Sequence, residues 1–457
     1  MNNNSTPADG KISFLEKAGY GLGDVGFNFY WANISVFLLI FYTDVFGISA
    51  AAAGTMMLIT KIIDAFTDPI MGAVADRTKS RFGKFRPYIL WMALPMAAAG
   101  VLTYSTPDLD QTGKLIWAYA TYSLMMLIYT AINIPYSALS GVITSNSQQR
   151  TTLVSFRFIG GFTGGILVAY LTPKLVPWLG QGDDILGWQL TMLVFGIAAA
   201  LMFLITFSTT RERVTPVSEQ QGSVWRDITD LKDNRPWLVL FALALIIMIT
   251  ITMRAGSGVY YFKYYVERPD LVGEFLSSYM FALALGAAAT PLMTRFIDKR
   301  RLMILLMSLA GVLSISLFWV PSDEIWLIFG INLAIGFVLG PKSPLAFSMY
   351  ADTADYNEWR TGRRATAMTF SAATFSQKLG GALASATIGW ILALLGYVAN
   401  EQQSEGSQLG ILLLISVIPG VIALLSAFVM RFYTLDNQQL AKIQLELQQR
   451  KAAIQTS

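Results

Sequence analysis

The chain of 457 residues contains neither cysteine nor histidine. The absence of cysteine excludes disulfides and thiolate chemistry, and the absence of histidine removes the commonest general base, proton shuttle and zinc ligand. Charged residues are also scarce, at 14% of the chain. Any handling of a proton or a metal cation must therefore depend on a small number of carboxylates.

Apolar sequence, in contrast, is abundant. Hydrophobic residues make up 54% of the chain and the mean hydropathy is +0.51, which is typical of a polytopic membrane protein. Twelve apolar segments are long enough to cross a bilayer, which requires about 20 residues each, and they form two sets of six. They lie near residues 17–43, 49–75, 87–105, 115–144, 150–178, 186–209, 236–264, 271–294, 302–320, 324–350, 366–398 and 408–431.

The distribution of basic residues predicts the orientation in the membrane. Most of the 33 Lys and Arg lie in the two terminal segments and in the loops on the same side, and basic residues accumulate on the cytoplasmic face. We therefore expect both termini in the cytoplasm. The polar N-terminal segment lacks a small-residue cleavage pattern, so we expect no removable signal peptide. The net charge of +4 follows from this topology and predicts no nucleic-acid partner.

The two sets of six predict two helical bundles with related sequences. Span 5 carries Arg157 shortly before Gly160 and Gly161, and span 11 carries Lys378 just before Gly380 and Gly381. Repeated halves of this kind are common in transporters that alternate access. The predicted divisions are an N-terminal bundle at 1–210, a cytoplasmic linker at 211–235, a C-terminal bundle at 236–433 and a helical cytoplasmic tail at 434–457.

Span 2 carries three charged residues, Lys61, Asp64 and Asp68. Their spacing places all three on one face of a helix, with the carboxylates about one turn apart. A charge inside the membrane is destabilising by about 2.5 to 3.5 kcal/mol, so such residues usually face a cavity and have a function. Two carboxylates beside one lysine leave a surplus negative charge, which predicts a cation site.

The competing interpretation of this segment is structural. Asp64 would only neutralise Lys61, and Asp68 would mark a helix distortion at Pro69. In the predicted cation site, Na⁺ at Asp64 and Asp68 would need further oxygen ligands. We expect these from Thr67, Thr130 and Asn133. A proton is the alternative ion, because two close carboxylates can share one.

Four segments together resemble a known family. They are GYGLGDVGFNF, DAFTDPIMGAVADRTKSRFGKFRP, NIPYSAL and ADTADYNEWRTGRRAT, which occur in this order. They resemble the glycoside-pentoside-hexuronide:cation symporters, the branch of the major facilitator superfamily that includes the melibiose permease, and the resemblance covers residues 17–433. It implies an all-α membrane fold of twelve helices in two six-helix bundles. It also implies uptake of a glycoside with Na⁺ or H⁺ across the bacterial inner membrane by alternating access, with no cofactor besides the coupling ion.

The resemblance also implies roles for individual residues. The positions that match the family's cation-binding aspartates and an associated threonine are Asp64, Asp68 and Thr130. The positions that match the sugar cavity are Arg157, Lys378 and Thr374.

The sequence departs from the melibiose permease at other ligand positions. Asn28 and Asn133 replace sugar-binding aspartates, Ser137 replaces a stacking tryptophan, and Thr67 replaces an asparagine at the cation site. Neither galactoside specificity nor the identity of the ion therefore carries over.

The polar and aromatic residues expected at the cavity indicate the substrate class. Asn28, Asn133 and Tyr136 offer the hydrogen bonds and aromatic faces that bind sugars, as do Tyr30 and Trp31. Arg254 and Lys342 add positive charge that would suit the carboxylate of a uronide, although Asp24 could neutralise one of them. A neutral glycoside and a uronide both remain open.

Two polar turns are candidates for gating contacts that break during the conformational cycle. The first, after span 2, contains Asp76, Arg77, Arg81, Gly83 and Lys84. The second, after span 10, contains Asp352, Asp355, Glu358 and Arg364.

Other classes of function fit the sequence less well. An intramembrane enzyme is disfavoured by the missing histidine and cysteine. A lipid-translocating member of the same superfamily, such as a lysophospholipid transporter, is the alternative to a sugar symporter. We expect a monomer whose partners are a small glycoside and the surrounding membrane lipid.

Overall fold

The computed structural model describes residues 12–144, 147–213, 232–362 and 366–456. Within these ranges the regular structure is entirely helical. The helices, labelled α1 to α13 in chain order, are Phe14–Val45, Ala50–Arg77, Arg86–Thr103, Gln111–Ile143, Ser147–Gly180, Asp184–Thr209, Arg235–Tyr265, Val272–Phe296, Lys299–Ser316, Ile325–Thr361, Thr366–Leu394, Glu405–Phe432 and Asn437–Thr456.

The helices correspond to the predicted spans. Ten of those in the described part of the chain are long and apolar enough to cross a membrane. The remaining two predicted spans are occupied by α3 and α11, and α13 follows them as the tail helix. The all-helical membrane fold is therefore confirmed, and the elements are consistent with twelve spans.

Short polar residues fix where several helices begin. The side chains of Ser49, Asp110, Asp183, Asn234 and Ser404 each accept a hydrogen bond from a backbone N–H in the first turn of the following helix. Such N-caps satisfy backbone donors that have no partner within the helix. They place the helix ends just outside the apolar runs.

Prolines interrupt some helices but not others. α2 continues through Pro69 and α4 continues through Pro135, so the expected distortion of α2 at Pro69 is not a break. α10 is interrupted at Gly340 and Pro341, and α12 is interrupted at Ser416, whose φ is −115° and ψ is −81°. Interruptions inside a membrane expose backbone carbonyls that need new partners.

The chain divides into two compact units. Unit 1 comprises Met1–Glu219 with Val272–Ser277, and unit 2 comprises Gln220–Leu271 with Ser278–Ser457. In unit 1, α1 packs along α5 and α6, and α2 packs on α4. In unit 2, α7 packs along α11, α9 packs along α12, and α13 packs on α10.

Glycines allow the closest helix approaches in both units. A Cβ placed on Gly160 of α5 would lie 2.1 Å from the carbonyl oxygen of Gly21 in α1, and one on Gly164 would lie 2.8 Å from Cβ of Asn28. In unit 2, a Cβ on Gly380 would lie 2.4 Å from the carbonyl oxygen of Leu245. Small residues are used in this way wherever membrane helices meet closely.

Candidate functional site

The two aspartates of α2 converge on one threonine of α4. The Thr130 hydroxyl donates to Oδ1 of Asp64 over 2.5 Å and lies 3.1 Å from Oδ1 of Asp68. Asp64 and Thr130 are each 3% exposed, and Asp68 is half-buried. The spacing of the aspartates and the packing of α2 on α4 thus bring three oxygen-bearing side chains together.

This arrangement suits a small cation or a shared proton. A hydroxyl has a single hydrogen, so Thr130 can donate to one carboxylate at a time. The Thr130 oxygen then lies close to an oxygen of the other carboxylate with no hydrogen between them, and the two carboxylates repel each other. A positive charge among the three groups relieves both repulsions. A hard monovalent cation prefers such oxygen ligands. The described residues contain no group of three or more acidic side chains that could hold a polyvalent metal.

The remaining residues predicted near the cation differ in their contacts. The Thr67 hydroxyl donates to the Asp64 carbonyl over 2.9 Å, which leaves its lone pairs available as ligands. Asn133 lies one turn beyond Thr130 on α4 and is half-buried. Lys61 is 4% exposed, and its Nζ lies 5.4 Å from the ring centroid of Trp31, so Trp31 faces a lysine.

Arg157, predicted at the sugar cavity, forms an ion pair with Asp24. Its Nε donates to Oδ1 of Asp24 over 3.0 Å, and its guanidinium lies 5.2 Å from the ring centroid of Tyr136. The arginine side chain is 30% exposed. Asn28 is adjacent, because its amide donates to the Asp24 carbonyl over 2.9 Å. Asp24 therefore neutralises Arg157, and not Arg254 or Lys342 as the sequence-based interpretation allowed.

Gly161 makes room for this ion pair. A Cβ at Gly161 would lie 2.7 Å from Oδ2 of Asp24 and 3.3 Å from the amide nitrogen of Asn28. An alanine there would press on both side chains, since ordinary contacts to a Cβ are longer. Gly161, one of the two glycines that follow Arg157 in span 5, thus borders the candidate sugar residues.

The membrane-embedded charges of unit 1 do not cancel. Among its described residues, those far from the helix ends are three carboxylates and two cations, namely Asp24, Lys61, Asp64, Asp68 and Arg157. Asp24 and Arg157 form one pair. The other three side chains leave one negative charge in excess.

Tyr136 does not present a free face or hydroxyl to a solute. It is completely buried, its hydroxyl donates to the Tyr20 carbonyl over 2.6 Å, and its ring stacks on Tyr20 at 4.7 Å. The guanidinium of Arg157 lies 5.2 Å from the centroid of the same ring. These contacts give Tyr136 a supporting position next to Arg157, and its predicted contact with sugar stays a prediction that this burial does not favour.

Arg254 has a different environment from the one predicted for a sugar ligand. It is 3% exposed, and its guanidinium donates to the Ile415 carbonyl over 2.9 Å and to Oδ1 of Asn332 over 3.0 Å. Pro419 has no N–H to offer the Ile415 carbonyl four residues earlier, and α12 breaks at this point. Arg254 therefore replaces a hydrogen bond that the break removes. Its predicted contact with sugar stays a prediction, which this burial does not favour.

The other predicted sugar residues of unit 2 are unequally accessible. Lys342 is 5% exposed, and its Nζ lies 3.2 Å from the Ser343 hydroxyl. This burial does not suit the predicted contact with a substrate carboxylate. Thr374 is exposed and Lys378 is half-buried, one turn apart on α11. These two side chains can be reached from outside the helix packing of their unit.

The first predicted gating turn is only partly described. The backbone of Asp76 lies in α2, but its side chain falls outside the described residues. Arg77 is exposed at the end of that helix. The guanidinium of Arg81 lies 4.6 Å from the ring centroid of Phe82.

Glu212, which no sequence motif singles out, holds the rest of this turn. Its carboxylate accepts three backbone N–H groups at the start of α3, those of Lys84, Phe85 and Arg86, over 2.8 to 3.0 Å. Gly83, with φ of +105°, lies so close that a Cβ would be 2.5 Å from this carboxylate. A negative charge at a helix N-terminus is favourable. The turn is thus held by the chain that follows α6.

The residues that directly follow α6 contact unit 1. Arg213 forms two hydrogen bonds of 2.8 and 2.9 Å with the Glu16 carboxylate, and the Arg211 backbone N–H donates to the same group. Glu16 is 4% exposed. Residues 211–213 belong to unit 1, and the division at 210 with a cytoplasmic linker at 211–235 stays a prediction.

The second predicted gating turn contains one clear ion pair. The Lys299 Nζ lies 2.7 Å from Oδ2 of Asp352. Asp355 and Glu358 are half-buried on the same helix. Arg364 falls outside the described residues.

Comparison with known proteins decides the family. The family described as MFS/sugar transport protein matches residues 19–437. The chain belongs to this family. Within the MFS/sugar transport family, it is a member of the branch of the major facilitator superfamily that resembles the melibiose permease, as the four sequence segments predicted.

Relatives and solved structures agree with this membership. This chain is 37% identical over 446 residues to the inner membrane symporter YicJ of Escherichia coli (strain K12), and the match covers 97% of each chain. It is 35% identical over 450 residues to the isoprimeverose transporter of Lactiplantibacillus pentosus, covering 96% of this chain and 92% of the relative. The crystal structure of a D-xylose-proton symporter has the same fold, with a TM-score of 0.66, 14% identity and coverage of 93% and 98%. The MFS member is a multi-pass membrane transporter and not an enzyme.

Proposed function

We propose that this transporter imports a glycoside together with Na⁺ or H⁺, by alternating access. The observation that carries the proposal is the convergence of Asp64 and Asp68 on the single hydroxyl of Thr130. Lys61, Asp64 and Asp68 together carry one surplus negative charge, which favours the binding of a positive ion. Two similar proteins are named a symporter and an isoprimeverose transporter, which supports a sugar as the second solute.

Na⁺ and H⁺ both fit the ligands. Carboxylate and hydroxyl oxygens are suitable for Na⁺, with Thr67 and Asn133 as additional donors of lone pairs. The same carboxylates can share a proton. Because the chain has no histidine, a coupling proton would have to use carboxylates, and we propose the same two aspartates for it.

We propose that the sugar binds to the accessible polar groups beside the Asp24–Arg157 pair. The guanidinium of Arg157 and the amide of Asn28 offer donors and acceptors that match sugar hydroxyls. Asn133 is proposed at both the cation and the sugar, which would let one solute stabilise the other by about 1 to 3 kcal/mol. In unit 2, Thr374 and Lys378 are proposed as sugar ligands on the basis of the family resemblance.

The cellular setting is proposed from the charge distribution. We infer that the protein lies in a bacterial inner membrane with both termini in the cytoplasm, since most of its basic residues follow the pattern of cytoplasmic loops. One similar protein is named an inner membrane symporter. We propose that the monomer is the transporting unit.

Replacement of Asp68 tests the proposal. In proteoliposomes with an imposed Na⁺ or H⁺ gradient, the wild-type protein should accumulate a radiolabelled glycoside above its external concentration. Asp68→Asn should abolish this accumulation, because the neutral amide removes the surplus charge that captures the ion. The variant should still let sugar equilibrate down its own gradient.

Asp44→Asn is the matched control, since Asp44 is an aspartate at the far end of α1. It should accumulate sugar as the wild type does. Undiminished accumulation by Asp68→Asn would refute the cation site. Failure of the wild type to take up any member of a panel of pentosides, hexosides and uronides under either gradient would refute sugar symport.

A further inference from the structure

We propose that Asp24 sets the charge preference of the sugar site and makes this transporter selective for uncharged glycosides over uronides. This inference rests on the proposed function, because it concerns the same Arg157 that we propose as a sugar ligand. The structure supports it through the partner, the surroundings and the accessibility of that arginine.

The counter-charge of Arg157 is built into the protein. Nε of Arg157 donates to Asp24 over 3.0 Å, and the Asp24 side chain is only 15% exposed. A carboxylate on the substrate would have to approach a guanidinium that already holds a buried carboxylate. Like charges at short range repel strongly where water is largely excluded. A hydroxyl meets no such repulsion and can accept from the remaining N–H groups.

The position of the pair is fixed on several sides. The open space at Gly161 admits the second Asp24 oxygen, since a Cβ there would lie 2.7 Å from it. Tyr136 lies beneath the guanidinium, with 5.2 Å between its ring centroid and the central guanidinium carbon of Arg157. Asn28 donates to the Asp24 carbonyl from the next turn of α1. Asp24 is therefore a positioning residue that holds Arg157 while cancelling its charge.

Of the cations in unit 2, Lys378 is half-buried and accessible, whereas the two that were considered for a uronide are not available at the surface of that unit. Arg254 is 3% exposed and donates to Ile415 and Asn332, and Lys342 is 5% exposed. Neither offers an accessible positive charge to a substrate carboxylate. Among the described candidate sugar residues of unit 1 the cation is Arg157, and Asp24 cancels its charge, which favours a neutral solute.

The test uses pairs of sugars that differ only at C6. The 4-nitrophenyl glucoside, galactoside and mannoside are each compared with the uronide of the same anomer, as competitors of labelled-substrate uptake in proteoliposomes. The wild type should bind the better neutral glycosides at least about tenfold more tightly than their uronides, which is the ratio that one charge-assisted interaction supplies. Asp24→Asn should shift this ratio toward the uronide by about tenfold or more, because a substrate carboxylate can then take the place of Asp24.

Two controls separate charge preference from general damage. Asp44→Asn removes a carboxylate from the same helix and should leave the ratio at the wild-type value. The double variant Asp24→Asn with Arg157→Gln should lose the gain in uronide binding, since the cation is gone. If Asp24→Asn does not yield folded protein, the wild-type ratio by itself still decides the preference.

The outcomes distinguish this inference from the function on which it rests. Ion-driven uptake by the wild type with a preference for uronides would overturn the inference and leave symport intact. An unchanged ratio in folded Asp24→Asn would also overturn it. A wild type that transports neither member of any pair, nor any pentoside, would instead refute the proposed function.

Discussion

The hydroxyl of Thr130 lies between two carboxylates that repel each other, and this position can be tested with near-isosteric side chains. Thr130→Val keeps the shape but removes the oxygen that contacts Asp64 and Asp68. We expect the concentration of coupling ion for half-maximal sugar uptake to rise about tenfold or more, since a lost hydrogen bond to a charged group is worth about 1.5 to 3 kcal/mol.

Thr130→Ser is the matched control, because serine retains the hydroxyl. It should require nearly the wild-type ion concentration. Equal ion dependence in the valine and serine variants would show that the hydroxyl has no part in binding the ion. The measurement is initial sugar uptake in proteoliposomes over a range of Na⁺ concentrations and, separately, of pH.

Single residues differ in how far the sequence determines their partners. Helical periodicity alone places Asp64 and Asp68 on one face, and the need for further oxygen ligands together with the family resemblance points to Thr130. The partner of Asp24 could not be chosen in this way, because Arg157 is 133 residues away in the chain. That pairing depends on how closely α1 approaches α5, which the glycines at 160, 161 and 164 allow.

At the level of helices, the interruption of α12 has a specific chemical consequence. Pro419 leaves the Ile415 carbonyl without its usual helical donor, and Arg254 donates to that carbonyl instead. The proline is visible in the sequence, so a distorted helix is predictable. The side chain that compensates for it comes from α7 and can only be identified once the packing of the two helices is known.

A double substitution tests this compensation. Arg254→Met should destabilise the detergent-purified protein by about 1 to 3 kcal/mol, because a buried carbonyl is left without a partner. Pro419→Ala restores a backbone N–H that can serve the same carbonyl, so the double variant should recover part of the lost thermal stability. Lack of any recovery would show that Arg254 acts in another way.

Over the whole molecule, the tail helix is part of unit 2 and not an appendage. Leu440, Ile443 and Leu447 of α13 are buried, and Nε1 of Trp359 in α10 donates to Glu446 over 2.6 Å. The sequence predicts a helix here, but its weak amphipathicity does not reveal what it covers. The covered helix is α10, which carries the second predicted gating turn.

Two leucines of α13 provide a matched test of this docking. Leu447 is 7% exposed and Leu445 is 56% exposed. Leu447→Ala should lower the apparent Tm of the purified protein, because burial of a leucine contributes about 1.5 to 3 kcal/mol. Leu445→Ala should leave Tm nearly unchanged. Equal effects of the two substitutions would argue against docking through the buried side.

The surplus negative charge of unit 1 affects how the membrane voltage of the cell acts on transport. Membrane voltage acts on each elementary charge that crosses it with about 2.3 kcal/mol per 100 mV. The embedded groups of unit 1 carry one net negative charge without the ion and none with one monovalent ion and a neutral sugar, while Arg254, Lys342 and Lys378 of unit 2 contribute equally to both forms. The loaded and the empty carrier therefore differ by one elementary charge. Membrane voltage should change net ion-coupled uptake and one-for-one exchange of labelled sugar to different extents, and an equal voltage dependence of the two would show that no ion crosses with the sugar.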